Sequence, residues 1–353
     1  MKSHPECSGW LLYLYFLQRK KFSPISLIVI SLYFIIIFKS LFAMQYLLGF
    51  DCGATKIECS LADLSGKIIF NTKRITTANL LVNGIDSVSS NINSIIIEIF
   101  DSGKIDKGNS KFGVIVIGAA GAGRTEHAEE LKTAVADQFK RNNIDCKKLM
   151  VVSDARIALE ASFPGKAGCI LIAGTGSIIY GKDEKGKIFR RGGFGRLIGD
   201  EGSGYSIGRK ALNRAARDFD AGDDNSSAVK LVKEKYSIKS IDDLLTKVYK
   251  DNFDIASVAK YVITLAGQKV QFAVNILDEE SDELILLIKT LMNKLRTDRI
   301  DISFSGSLID NKNFYSNMLR EKIQQHVITV TVIDKKINPV EGAIYLAKGL
   351  VDA

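Results

Sequence analysis

The sequence predicts an α/β protein made of two similar lobes, and three observations carry that expectation. Residues 47–61, LLGFDCGATKIECSL, read as an apolar strand, a tight Asp51-Cys52-Gly53-Ala54-Thr55 turn and a second strand. Residues 169–180, CILIAGTGSIIY, repeat the pattern around a Gly174-Thr175-Gly176-Ser177 turn. Each unit then runs through a Gly-Lys-Ile turn into a third strand, at Gly66-Lys67-Ile68 and at Gly186-Lys187-Ile188, 120 residues further on. One supersecondary unit is used twice. A phosphate-sized hairpin in each half points to a nucleotide clamped between two lobes.

In the first half, residues 47–50, 57–62 and 67–75 are expected as antiparallel strands. A helix follows over 84–100, because Ile85, Val88, Ile92, Ile95, Ile96 and Ile99 share one helical face. Residues 112–117 are continuously apolar and read as a buried strand. A Gly/Ala loop at 118–123, a helix at 125–139 with Leu131, Ala134, Val135 and Phe139 inward, and a strand at 149–152 come next. The helix at 155–162 is ended by Phe163-Pro164-Gly165.

The second half starts with strands at 168–173, 178–182 and 187–190 and a Gly-rich loop at 191–204. A mostly helical region spans 205–295, with a polar break at 220–227. Strands at 300–304 and 327–333 precede a last helix at 339–350, opened by Pro339. The expected lobes are residues 44–163 and 164–336, a boundary that rests on the repeat.

The chain of 353 residues, 46% hydrophobic and 25% charged, has the composition of a globular protein with room for two domains. Half of its formal charge of +8 comes from Lys2, Arg19, Lys20, Lys21 and Lys39 against Glu6. No dense basic stripe with aromatics follows, so no nucleic-acid partner is expected. Five cysteines without CxxC spacing argue for a reducing, cytoplasmic setting and against a zinc site. The three scattered histidines are read as surface or loop residues.

Residues 1–43 hold two apolar runs split by Arg19-Lys20-Lys21, the second only 14 residues long before Lys39. That is short for a membrane span of roughly 20 residues. Met44 lies two residues before the first core strand and is expected to be the true start. The alternative is a genuine membrane anchor on a cytoplasmic domain.

Several residues can carry chemistry. Gly53 lets a bulky ligand approach, Thr55 offers a hydroxyl, and Asp51 suits a hydrated Mg²⁺. Asp154 follows a buried strand, where it can accept a proton from an attacking hydroxyl; the plainer alternative is a helix N-cap. Gly174-Thr175-Gly176-Ser177 is a second candidate phosphate cradle. Residues 192–204, GGFGRLIGDEGSG, contain six glycines in thirteen positions, a loop whose ordering costs entropy and therefore points to a ligand. Asp200 or Glu201 can bind a sugar hydroxyl or a metal there, and the alternative is a mobile loop with Ser203 as cap. Gly306 can admit an adenosine, and Asn79 can donate to a sugar; both can also be plain turn residues.

Taken together, FDCGATK, VVSDARIALEA, AGTGS, GGFGRLIGDEGSG and FSGS, in this order, resemble the N-acetylglucosamine kinase and BadF/BadG/BcrA/BcrD-type ATPase family of the actin/hexokinase/Hsp70 superfamily. The resemblance covers residues 46–353. It implies two ribonuclease-H-like, actin-like ATPase lobes around a cleft, with the last helix (337–353) returning to the first lobe. It implies ATP and Mg²⁺, with Asp51 near the metal through water. Asp51, Gly53, Thr55, Gly174, Thr175 and Gly176 would take the phosphates, and Gly306, Ser307 and Asn311 the adenosine. Asn79, Ser177, Gly193, Phe194, Gly195 and Asp200 would contact an amino sugar, and Asp154 would deprotonate its 6-hydroxyl. Phe194 stands where eukaryotic sugar kinases have Trp, and N-acetylmuramic acid, glucosamine and N-acetylmannosamine stay open as substrates. The alternative is an ATPase switch that activates a partner enzyme; the absent cluster-binding cysteines of that group weigh against it. A homodimer is compatible with the family by analogy alone.

Overall fold

The computed structural model describes residues 44–53, 55–108, 110–334 and 338–351. The N-terminal extension expected at residues 1–43, with its start-site and anchor readings, lies outside them. Among the described residues, no helix is long and apolar enough to cross a membrane.

The first sheet contains β1 (Met44–Cys52), β2 (Ile57–Asp63), β3 (Ile68–Arg74), β4 (Ser110–Ala119) and β5 (Cys146–Ser153), in the order β3-β2-β1-β4-β5. β1 to β3 form an antiparallel meander, and β4 and β5 continue it in parallel with β1. The second sheet contains β6 (Gly168–Ala173), β7 (Ser177–Lys182), β8 (Ile188–Gly192), β9 (Ile300–Ser305) and β10 (Val330–Ile333), in the order β10-β9-β6-β7-β8. Its pairing repeats the first sheet strand for strand. The duplication inferred from two hairpins thus extends through both whole sheets.

Helices α1 (Leu80–Asn83), α2 (Ile85–Asp101) and α3 (Thr125–Arg141) lie between β3 and β5 in the chain. α2 buries its predicted stripe of Val88, Ile92, Ile95, Ile96 and Ile99 against the first sheet, beside Leu131, Val135 and Phe139 of α3. On the second sheet, α5 (Gly204–Asp220), α6 (Ser227–Tyr236), α7 (Ile241–Tyr249), a 3₁₀ turn (Ile255–Val258), α8 (Ala259–Gly267), α9 (Gln271–Leu295) and α10 (Phe314–His326) share one core with β6, β7 and β9.

The two lobes meet on α4 (Asp154–Ser162). Ile157 packs into a cluster with Leu47, Val114 and Val116 of the first sheet and with Ala343 and Ile344 of α11 (Pro339–Val351). Ala155, Ala158 and Leu159, on the opposite side of the helix, cluster with Ile170 and Tyr180 of the second sheet. An ion pair seals this crossing. Buried Glu160 accepts from Lys182 Nζ of β7 (2.7 Å) and from Gly165 N–H (2.9 Å), and it also bonds Arg156. Lys182 adds a bond to Phe163 O (2.8 Å). α11 crosses α4 closely, because a Cβ on Gly342 would meet Ile157 O at 1.9 Å and Ala161 N at 2.7 Å.

Three expectations are corrected and one element is added. The strand expected from 327 begins at Val330, because Val327 N–H closes α10 on Ile323 O (2.8 Å) and Val330 N–H turns back to Val327 O (2.8 Å). Gly192, placed in the Gly-rich loop, is the last residue of β8, paired with Ile178. The one-turn helix α1 has no apolar periodicity long enough to announce it. His127, read as a surface or loop residue, is half-buried on α3 with Nδ1 3.2 Å from Gly121 O.

The crossing predicts that Gly342→Ala lowers stability by about 1–3 kcal/mol or more, since overpacking outweighs the usual helix gain of alanine. A urea midpoint at or above that of the wild type would contradict the close approach.

Candidate active site

β1, β4 and β5 end at one edge of the first sheet, the edge where α/β proteins place ligand-binding groups. Asp51 of β1 is level with Gly118 of β4, and Ala119 is level with Ser153 of β5. The β1–β2 turn is closed by Gly53 N–H donating to Lys56 O (2.9 Å), with Thr55 exposed. Ala78 N–H donates to Gly53 O (3.0 Å) and Leu80 N–H to Ala120 O (3.0 Å). Asn79 is thereby held between the first hairpin and the end of β4, with its own N–H on Asn83 Oδ1 (3.2 Å).

Ser153, and not Asp154, caps α4: its Oγ accepts Arg156 N–H (3.2 Å). Asp154 is the first residue of the helix, half-buried at the positive end of the helix dipole. Its Oδ1 accepts Ala155 N–H (2.8 Å).

The second hairpin mirrors the first. Gly174 N–H donates to Gly176 O (2.9 Å), and Thr175 is exposed at the tip. The N-terminus of α5 abuts it, with Gly204 N–H on Gly174 O (2.7 Å) and Tyr205 N–H on Thr175 O (3.2 Å). The positive end of a helix thus lies beside a candidate phosphate turn. Gly306, at φ 96°, follows β9; a Cβ there would stand 2.4 Å from Ala173 O, so only glycine lets this turn close on β6. Ser307 faces Gly174, whose Cβ would be 3.9 Å from Ser307 N and Oγ. Asn311 is exposed farther along the same loop.

The Gly-rich loop is tied to this hairpin. Gly193 N–H donates to Ser177 O (3.1 Å), and the buried Ser177 hydroxyl donates to Glu201 O (2.5 Å). Asp200 takes the left-handed region (φ 62°) and accepts Gly195 N–H at Oδ1 (3.2 Å). Its Oδ2 would lie 2.6 Å from a Cβ on Gly176. Phe194 is 63% exposed beside Gly193 and Gly195, and Leu197 and Ile198 are more exposed still.

Glu280 anchors the far end of the loop and was not singled out from the sequence. It is buried in α9, and it accepts Gly202 N–H, Ser206 Oγ (2.7 Å) and Lys210 Nζ (3.0 Å). It sits in the acidic run DEESDE, which reads as a solvated face. The available signal is periodicity: Leu277 and Leu284, three before and four after, are buried on the same face.

Burial raises the Asp51 carboxyl from its ordinary 3.8 to about 6, and the negative charges of Asp154 and Glu58 push it further than Lys56 can pull it back. Burial also raises Asp154, against backbone N–H groups that favour its ionised form. Asp200 is raised by burial and by Glu201. Two carboxylates that repel one another fit a divalent cation between protein and polyphosphate. Among the described residues no three His, Cys, Asp or Glu side chains converge as a full ligand set. Mg²⁺ held through one or two carboxylates, waters and substrate phosphates matches this donor set. Cys52 and Cys59 beside the first hairpin are free and buried, and burial pushes both thiols up, away from reactivity.

Residues 48–347 match the BadF/BadG/BcrA/BcrD ATPase family. The chain belongs to that family. It is 29% identical over 314 residues to the N-acetylmuramic acid/N-acetylglucosamine kinase of Clostridium acetobutylicum, covering 88% of this chain and 100% of that protein. It is 26% identical over 318 residues to the N-acetyl-D-glucosamine kinase of Dictyostelium discoideum, covering 86% of this chain and 98% of that protein. The fold matches a candidate N-acetylglucosamine kinase from Chromobacterium violaceum with TM-score 0.66 at 18% identity, covering 86% of this chain and 99% of that one. The two-lobed α/β fold and the ATPase family expected from the sequence both stand, and the curated relatives are amino-sugar kinases.

In metal-free protein, the proton on Asp51 is held more tightly in the folded state than in the unfolded one. Its contribution to stability is therefore full below about pH 4 and is lost as pH rises through about 6. Asp51→Asn is expected to melt about 4–8 °C above wild type at pH 8 in chelator, with the gain gone by pH 4. A gain that does not vary with pH would contradict this electrostatic picture.

Proposed function

We propose that the protein is an ATP-dependent sugar kinase that transfers the γ-phosphoryl group to the 6-hydroxyl of N-acetylglucosamine or a related amino sugar. The observation that carries this reading is the place of Asp154. It is freed from capping by Ser153, it opens the helix shared by both lobes, and it is close enough to Asp51 to perturb its charge. The lobes we assign are residues 44–163 with α11, and residues 164–336.

In this reading the phosphates of ATP lie along Asp51, Gly53 and Thr55 on one side and Gly174, Thr175 and Gly176 on the other. The adenosine lies by Gly306, Ser307 and Asn311. Asn79, Ser177, Gly193, Phe194, Gly195 and Asp200 hold the sugar. Asp154 accepts the proton of the attacking hydroxyl as the new P–O bond forms and the bond to the β-phosphate oxygen breaks, releasing ADP. A raised pKa brings this base closer to working pH. Asp51 would hold Mg²⁺ through water, and the ion would supply charge neutralisation for the polyphosphate. Closure of the lobes about α4 excludes water, so that the sugar and not water is phosphorylated.

ADP release is the test, on protein starting at Met44, with ATP and Mg²⁺ and a panel of hexoses and hexosamines. Turnover is expected only with sugar, highest on an N-acetylated amino sugar. Slow release indifferent to every sugar would replace this reading with the ATPase switch. Asp154→Asn is expected to lower kcat by about 10²–10⁴-fold with sugar affinity largely kept; a kcat within a few-fold of wild type would remove Asp154 from the role of base.

A further inference from the structure

Arg190 of β8 is paired with Tyr180 of β7, so their side chains share one face of the second sheet. That is the face covered by α4, because Tyr180 clusters with Ala155 and Leu159. The turn after β4 reaches the same spot from the first lobe. A Cβ on Gly123 would stand 3.6 Å from both Arg190 Nη1 and the Tyr180 hydroxyl. The half-buried Arg190 guanidinium donates to Gly123 O (3.5 Å) on one lobe and to Gly193 O (3.4 Å) on the candidate sugar loop. Both bonds are long, both acceptors are neutral, and among the described residues no carboxylate pairs with it.

Arg191 donates to Arg190 O (2.9 Å), and three further cations are engaged elsewhere. Arg156 and Lys182 share Glu160, and Arg196 lies over the Tyr205 ring at 5.6 Å. The carboxylates of the cleft are Asp51, Asp154, Asp200 and Glu201, with Lys56 beside Asp51. A partly buried charge without a counter-ion is costly, and here it stands where lobe, loop and helix meet.

We propose that Arg190 is a carboxylate-binding group of the sugar site, so that the substrate class includes amino sugars carrying an acidic ether substituent. This rests on the kinase reading above. The planar guanidinium fork takes a carboxylate through two parallel charge-assisted bonds, which replace two long contacts to carbonyls. In the kinase reading Asp154 and Asp200 are set against neutral sugar hydroxyls, so the expected substrate is a sugar with one anionic arm and not an anion in general. The Clostridium acetobutylicum relative is named for such a sugar, N-acetylmuramic acid, alongside its neutral counterpart.

The test measures kcat and KM on N-acetylmuramic acid and N-acetylglucosamine for wild type, Arg190→Gln and Arg190→Lys. In Arg190→Gln the ratio of kcat/KM for the acid over the neutral sugar is expected to fall at least about tenfold, mainly through KM. Arg190→Lys, which keeps the charge and loses the fork, should recover part of that ratio. Equal losses on both sugars would make Arg190 a merely structural contact between lobes and overturn the proposal. Wild type that turns over the neutral sugar but not the acid would also overturn it, leaving the kinase reading intact. Wild type idle on both sugars would defeat the kinase reading and this proposal with it.

Discussion

None of the nine residues of α4 is exposed. Ile157 belongs to the first lobe's packing, Leu159 to the second's, and Glu160 ties the helix to β7 through Lys182. A fully buried Leu or Ile side chain stabilises by about 1.5–3 kcal/mol, and each is held here by a different sheet. The helix therefore cannot follow one lobe and release the other without exposing apolar surface. Asp154, at its first position, is held at the junction of the two lobes for the same reason. The position of the candidate base is a by-product of how the lobes are joined.

A second constraint works from the far side of the cleft. The Gly-rich loop has glycines and Asp200 in left-handed backbone, a conformation that would be lost without anchors. Those anchors are Ser177 and Asp200 at one end and the buried Glu280 at the other. Glu280 also holds Ser206 at the start of α5 and so couples the loop to the helix whose N-terminus abuts the Gly174 turn. These bonds join the Gly174 turn, the Gly-rich loop and the N-terminus of α5, while Phe194, Leu197 and Ile198 are exposed. Such exposed apolar tips are suited to covering a sugar ring.

Much of this was legible in the sequence, for physical reasons that can be named. The paired hairpins were visible because two identical local problems, a tight turn between apolar strands, have one local solution. The α2 stripe was visible because a two-sided environment imposes a helical period. What stayed hidden depends on contacts distant in the chain. That Ser153 displaces Asp154 as cap is decided by one backbone geometry. Glu280 is an acid in an acidic run until α9 turns it inward. Arg190 is one of many basic residues until the loop at Gly123, 67 positions away, is folded against it. The strand at 327–333 was overextended because β-branched residues favour strands even where a helix end claims the backbone.

The central claim is that a helix owned by both lobes sets one carboxylate against an acceptor hydroxyl, with two matching hairpins holding the donor's phosphates. A crystal structure of the protein with a non-hydrolysable ATP analogue, Mg²⁺ and N-acetylglucosamine tests it most directly. The account predicts phosphate oxygens in contact with both the Thr55 and the Thr175 turns, and the sugar 6-hydroxyl within hydrogen-bonding distance of Asp154. A nucleotide seated on one hairpin alone, or a sugar whose 6-hydroxyl faces away from Asp154, would contradict it.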